Sequence, residues 1–343
     1  MRAAELYQRR HFRLVDSVPA EPGPGEIQVR VGAVGICGSD LHNFSEGSIG
    51  DTPSVYPMVL GHEPAGTVLK TGPGVIGWSE GDRAALEPAI YCYHCEFCMT
   101  GHHNVCSNIR FLSMPGEPGF FRECVNLPAA NLLPLPKELS LEEGTLFEPL
   151  AVALHSMKFA AIRPGESVAV FGAGPIGLLT IAVLRLSGAG RIWAVEPVAA
   201  RRELARRMGA DAAIDPAAVD PAGELMRETG ARGVDATIDC ATRGDSLNQA
   251  IRATRNAGRL VVTGIPVAAG VTLEFHTMRR KELAVLNVRR SNHESDAALE
   301  LLRGHASLFA PILTHALPLE RIESAFEMLE HYEDGAGKVV IRP

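Results

Sequence analysis

Along residues 1 to about 149, apolar and polar positions alternate in short bursts, Ile27 to Val31 and Thr67 to Lys70 among them, and Gly and Pro interrupt them often. A period of two places every second side chain on one face of a strand, and frequent turn residues close each strand early, so this stretch predicts a compact all-β domain. From about 150 to 286 the texture changes. Strand-length runs recur at Ser167 to Phe171, Arg191 to Glu196, Val234 to Asp239 and Gly258 to Gly264. Segments of helical spacing follow the first two, one reaching about Ser187 and the next running through Met208. Strand and helix in alternation predict a parallel sheet with crossover helices. The remainder, 287–343, offers two helical segments, Ser295 to Leu302 and Ile322 to Leu329, and a closing strand, Lys338 to Arg342. It is too short for a core of its own and is expected to return and pack on 1–149, leaving 150–286 as the second domain.

Composition narrows the classes. A chain of 343 residues, 46% hydrophobic and 21% charged, suits a soluble protein of two domains. A net charge of -7 without a basic patch argues against nucleic acid or an anionic membrane as partner. The arginines from Arg201 to Arg207 are interleaved with Glu203 and read as a solvated helix face. The uncharged run Ser167 to Leu184 is long enough to raise a membrane span, but Gly172-Ala173-Gly174-Pro175 breaks it into strand and helix. The opening MRAAELYQRR lacks an apolar stretch and carries Glu5, unlike a signal peptide. A cytoplasmic, reducing location is expected, with Cys124 and Cys240 as inert packing residues in apolar strands.

Candidate chemistry begins with Cys92, Cys95, Cys98 and Cys106, all within CYHCEFCMTGHHNVC. Four thiolates from one short loop fit the closed tetrahedral shell of a structural zinc. Two disulfides or an iron–sulfur cluster are the competing uses of such a loop. His94, His102 and His103 lie in the same loop, yet four sulfurs already complete the shell. A second signal follows the run Val168 to Phe171: Gly172, Ala173, Gly174, Pro175, Ile176 and Gly177 leave a strand and open a helix, and Glu196 ends the next strand. That spacing is the dinucleotide arrangement, with Gly172 for the turn, Gly174 for the approach of pyrophosphate and Gly177 for close helix packing. Glu196 at the strand end favours NAD over NADP; Arg201 and Arg202 just beyond it pull the other way.

The third signal is Cys37, Gly38, Ser39, Asp40, Leu41 and His42, followed by Gly61, His62 and Glu63. A thiolate, an imidazole and carboxylates from separate loops form the mixed ligand set of a catalytic zinc that keeps one position open. GICGSDLH, GHEPAGTV, GDRAALEP, the four-cysteine loop, EPLAVALH beginning at Glu148, and GAGPIG occur in one order over nearly the whole chain. In that order the sequence resembles the zinc-containing medium-chain dehydrogenases, most of all their sorbitol, polyol and threonine dehydrogenase branch. The resemblance implies a GroES-like catalytic domain, completed by the C-terminal segment, and a doubly wound Rossmann domain that binds NAD, with the active site in the cleft and a dimeric or tetrameric homo-oligomer. It implies two zinc ions per chain. Cys37, His62 and Glu148 match the catalytic ligands, and Glu63 matches a glutamate that takes a direct or water-mediated place. Asp40 matches the carboxylate that orients the imidazole, and Ser39 and His42 match a proton relay. The implied reaction passes hydride from the carbon of a small-molecule alcohol to the nicotinamide and leaves a carbonyl. Arg289 falls where the polyol enzymes carry a substrate-side arginine. Asn43 stands where sorbitol dehydrogenases usually carry an aromatic residue, and MPGEPGFFREC also departs from the common form. A polar pocket of Asn43, Glu148 and Arg289 suits a polyhydroxylated secondary alcohol, with L-threonine and sugars as alternatives. A retired dehydrogenase that only binds nucleotide would need a broken zinc set or relay, and here every position is filled.

Overall fold

In Glu26–Gly35, Ile27, Val29 and Val31 are buried on one face while Gln28 and Arg30 alternate with them, the half-buried pattern that a strand requires. This strand organises a seven-stranded sheet. It pairs antiparallel with Glu63–Thr71, with Cys124–Pro128 and with Lys338–Arg342. Beyond these lie Arg83–Leu86 and Leu132–Pro134 on one side and Leu313–Pro318 on the other. The core packed on it includes Phe44, Phe120, Phe121 and Phe326, the last from helix Ile322–Glu330. The register joins distant parts of the chain: Gly35 faces Glu63 across one strand pair and Val340 across another.

The computed structural model describes all 343 residues, and its chain contacts divide them into two compact units. The first comprises Met1–Glu148, Asn292–Ala306 and Leu313–Pro343; the second comprises Pro149–Ser291 and Ser307–Ile312. The second unit holds six parallel strands in the order Ala212–Ile214, Ile192–Val195, Val168–Phe171, Val234–Asp239, Thr254–Val262 and Ala284–Asn287. Helices Pro175–Leu186, Ala199–Arg207, Pro221–Glu228 and Ser246–Ala253 connect them. Phe171, Trp193, Val195 and Leu260 are among the buried residues of its core.

Three local readings change. The strand expected at 258–264 runs from Thr254 to Val262, with an irregular register that lets residues before Gly258 join it. Cys240 is not inside a strand: Val234–Asp239 ends one residue earlier, although burial still pushes the Cys240 thiol up to about 12. The helix carrying Arg201 to Arg207 is only partly solvated. Arg202 donates to the carbonyls of Glu196 and Pro197 at 2.8 and 2.6 Å and pairs with Asp215 at 2.9 Å. No helix is long and apolar enough to cross a membrane.

Candidate active site and metal centres

The four-cysteine loop is the simpler of the two donor clusters. Its sulfurs lie 3.4 Å (Cys92 to Cys106), 3.8 Å (Cys95 to Cys106) and 3.9 Å (Cys92 to Cys98) apart. A tetrahedron with Zn–S bonds of about 2.3 Å has sulfur–sulfur edges of about 3.8 Å, so the cage already has the size of a zinc shell. All seven cysteines of the chain are free thiols, which removes the disulfide reading. The backbone N–H of His94 pulls the Cys92 thiol down to about 5, whereas burial pushes Cys98 up to about 12. The donors therefore fit a dication that would take all four as thiolates.

The mixed cluster is assembled from two places. Cys37 caps the short helix Gly38–Leu41; His62 and Glu63 lead into strand Glu63–Thr71. The ligand atoms of Cys37, His62 and Glu63 lie within 4.8 Å of one another. Asp40, fully buried, accepts from the Cys37 N–H at 3.1 Å through Oδ2 and from the Gly61 N–H at 3.2 Å through Oδ1. His62 Nδ1 has no hydrogen-bond partner but faces Asp40 Oδ1 at 3.4 Å, an ion-pair distance that assigns its proton to Nδ1 and turns Nε2 outward. Burial opposes charge on His62, yet Asp40 and Cys37 prevail and hold its pKa well above the usual histidine value. The centre is thus biased towards a positive charge at the imidazole, the place a metal would take.

The glutamates divide the work. Both oxygens of Glu63 accept from Lys338 Nζ at 2.7 Å, in a pair whose side chains are 0% and 1% exposed. Lys338 Nζ also donates to the carbonyl of Ile36 at 3.0 Å. Glu148, at the start of helix Phe147–Ala160, stands outside the compact cluster. Burial pushes its carboxyl up to about 8; Glu63 and Glu87 push the same way, and His62 and Lys338 oppose them. A buried acid so poorly compensated is itself a cation-seeking group.

Ser39 Oγ lies 3.3 Å from His62 Nε2, beside the atom that a metal would use. His42 opens the π-helical turn His42–Glu46, a structure frequent at functional sites. Asn43 is buried and its side-chain oxygen is engaged. It is 3% exposed, its Oδ1 accepts from Ser54 Oγ at 2.7 Å, and its carbonyl accepts from Tyr56 OH at 3.2 Å. Its carboxamide and its backbone carbonyl thus tie Ser54 and Tyr56 to this turn. Sequence reasoning missed Lys338, whose only signal is a lysine opening an apolar strand, and Ser113, which donates to Asp40 Oδ1 at 3.1 Å.

In the second unit the glycine run leaves strand Val168–Phe171 and enters helix Pro175–Leu186, with Gly174 at the cap and Pro175 and Ile176 in the first turn. Gly172 has φ +90°, and a Cβ on Gly177 would lie 1.9 Å from the Gly172 carbonyl oxygen, so neither position accepts a side chain. Glu196 is 4% exposed and accepts from the N–H of Ala173 at 2.7 Å and of Val198 at 2.9 Å, tying the glycine turn to the next strand end. Arg201 extends over the turn, its Nη1 4.0 Å from where a Gly174 Cβ would stand. Arg289 is an exposed residue just beyond strand Ala284–Asn287.

Two family models match the chain, the first within the first unit and the second over most of the second unit and on into Asn292–Gly304 of the first. Residues 23–137 match the alcohol dehydrogenase GroES-like domain and residues 175–304 match the zinc-binding dehydrogenase domain. The sorbitol dehydrogenase of Bacillus subtilis is 30% identical over 343 residues, covering 100% of this chain and 97% of its own. That of Gallus gallus is 34% identical over 333 residues, covering 96% and 94%. The crystal structure of 2R,3R-butanediol dehydrogenase from Bacillus subtilis superposes with a TM-score of 0.87 at 31% identity, covering 100% of this chain and 99% of that one. With this fold, these donor clusters and relatives along its whole length, the chain belongs to the zinc-binding dehydrogenases of the alcohol dehydrogenase family.

Proposed function

We propose that the protein oxidises a secondary alcohol of a polyol or sugar-like substrate with NAD, giving a ketone. The observation that carries this is the mixed donor cluster of Cys37, His62 and Glu63, with the Ser39 hydroxyl 3.3 Å from His62 Nε2. Cys37, His62 and Glu148 would hold the catalytic zinc, with Glu63 engaged by Lys338. Zinc bound there supplies Lewis acidity that brings the ionisation of an alcohol towards neutral pH. Ser39 accepts the alcohol proton and His42 passes it to solvent. The glycine turn and the helix behind it bind pyrophosphate through backbone N–H groups, with Arg201 above them. Glu196 accepts hydrogen bonds from the ribose hydroxyls and repels a 2′-phosphate. Arg202 is engaged with Asp215, which weakens the NADP reading. The four cysteines hold a second zinc that takes no part in the reaction.

The sorbitol and butanediol enzymes share a secondary alcohol beside a further oxygen, and this supports a polyhydroxylated substrate bound with the help of Arg289. We assign metal and substrate binding to 1–149 with 287–343, and NAD binding to 150–286; the two units divide nearby, with 287–291 and 307–312 falling in the second. We place the protein in the cytoplasm as a homo-oligomer, a dimer or tetramer. A panel of sorbitol, xylitol, 2,3-butanediol, simple secondary alcohols, sugars and L-threonine, assayed for reduction of NAD and NADP, tests the proposal. Highest kcat/KM on a polyol with NAD is expected. Preference for L-threonine would select the branch alternative, and no turnover of any alcohol would overturn the assignment.

A further inference from the structure

Ser113 lies in the turn between Phe111 and Glu117, far in sequence from Cys37 and His62, yet it is buried and spends its hydroxyl on Asp40 Oδ1 at 3.1 Å. Its backbone is strained for a residue with a side chain, at φ +91°. A glycine would occupy this turn without strain, and an asparagine with little. The serine N–H is also satisfied, donating to the Glu117 carbonyl at 2.8 Å, so the turn's own geometry does not require a hydroxyl. What the hydroxyl adds is a third contact on a carboxylate that must serve two masters. Oδ2 holds the Cys37 N–H, while Oδ1 holds the Gly61 N–H and faces His62 Nδ1. Removing the hydroxyl leaves Oδ1, the oxygen that faces the imidazole, with the Gly61 N–H as its one hydrogen-bond donor and holds it less tightly beside His62.

We propose that Ser113 is a positioning residue of the catalytic metal centre: through Asp40 it fixes the orientation of His62 and so the direction in which Nε2 meets the metal. Groups that orient a ligating histidine through its far nitrogen typically alter metal affinity about 10- to 100-fold when lost. Ser113 acts one contact further out, and the lower end of that range is expected. The strain supplies a means of separating this role from a purely structural one, because Ser113→Ala keeps the strain and loses the hydroxyl, whereas Ser113→Gly loses both.

The inference rests on the catalytic zinc reading given above, and the experiment keeps the two apart. The zinc-loaded full chain is mixed with a chromophoric chelator and the release of each ion is timed; the absorption bands of the cobalt-substituted mixed centre are recorded in parallel. In both variants the labile ion should leave about tenfold faster and the cobalt bands should shift, while the four-cysteine ion leaves at its wild-type rate. Ser113→Gly should do this with thermal stability at or above wild type. If Ser113→Gly releases zinc at the wild-type rate, the serine has only a backbone role and the inference fails. If the wild-type chain itself holds one ion only, in the four-cysteine loop, the zinc reading of the mixed cluster fails first.

Discussion

The two donor clusters differ in how the chain builds them. The four cysteines come from fifteen consecutive residues, and their sulfurs stand at zinc-shell spacing within one loop. The mixed cluster draws on residues 37, 62 and 63, with Asp40, Ser113 and Lys338 behind them, the last carried by strand Lys338–Arg342, which pairs with Glu26–Gly35. A loop that supplies every donor needs no distant strand to set the spacing of its sulfurs. A site gathered from afar brings buried carboxylates together and needs partners to hold them apart. The difference also explains a division of labour: four sulfurs leave no position for substrate, whereas one sulfur, one nitrogen and one oxygen do.

The largest effect that would break this contrast is at Cys37. Cys37→Ala should reduce alcohol oxidation by at least about a thousandfold, in the range expected when metal-assisted activation is removed. Metal analysis should find the content falling from two zinc ions to one, with the four-cysteine ion retained; loss of both would show that the clusters are not independent.

Lys338→Met comes next, because it leaves Glu63 buried without its partner at a cost of about 3 to 5 kcal/mol. The urea midpoint of the first unit should fall accordingly. Combining it with Glu63→Leu should recover most of the loss, since a buried pair replaced by apolar groups is often near neutral. A double variant as weak as the single one would mean that Lys338 acts through Ile36 instead.

Glu196→Ala should narrow the preference for NAD over NADP by about tenfold, near the worth of one charge-assisted contact. Steady-state kinetics with both cofactors reads this directly, and an unchanged ratio would assign the choice to Arg201.

The smallest effect concerns Asp235, an acid of the second unit that binds no metal. Burial opposes its charge, but hydrogen bonds from Arg232, the Ser167 N–H, Arg255 and the Ser167 hydroxyl outweigh it and hold the carboxyl far below the usual range. A depressed folded value stabilises above the unfolded carboxylate value of about 4, and that contribution is lost as pH falls through the folded one. Asp235→Asn should therefore lower the stability of the second unit at pH 7, and the gap to wild type should shrink below about pH 4. A gap independent of pH in urea titrations would mean that shape alone is at stake.

What the sequence disclosed follows the same local and distant division. The glycine turn, Glu196 and the four cysteines are legible because their spacing along the chain is their geometry. The run Val168 to Phe171 is uniformly buried and announces itself as a strand. Ala284–Asn287, an edge strand with exposed ends, and Ala212–Ile214, three residues long, carry too little pattern to be read. At Asn43 composition tells that an amide is polar but not that Ser54 will take its Oδ1. The Glu63–Lys338 pair spans 275 residues, and Ser113 reaches Asp40 across 73; no periodicity records such pairings.

The position of Lys338 in the sequence also sets an order of events during synthesis. A ribosome delivers Cys37, His62 and Glu63 early, then the whole Pro149–Ser291 segment, and only afterwards the strand whose lysine neutralises Glu63. The four-cysteine loop is competent to take up zinc as soon as Cys106 has emerged. Lys338, the partner that balances the charge of Glu63, is therefore supplied only after the Rossmann segment has been made.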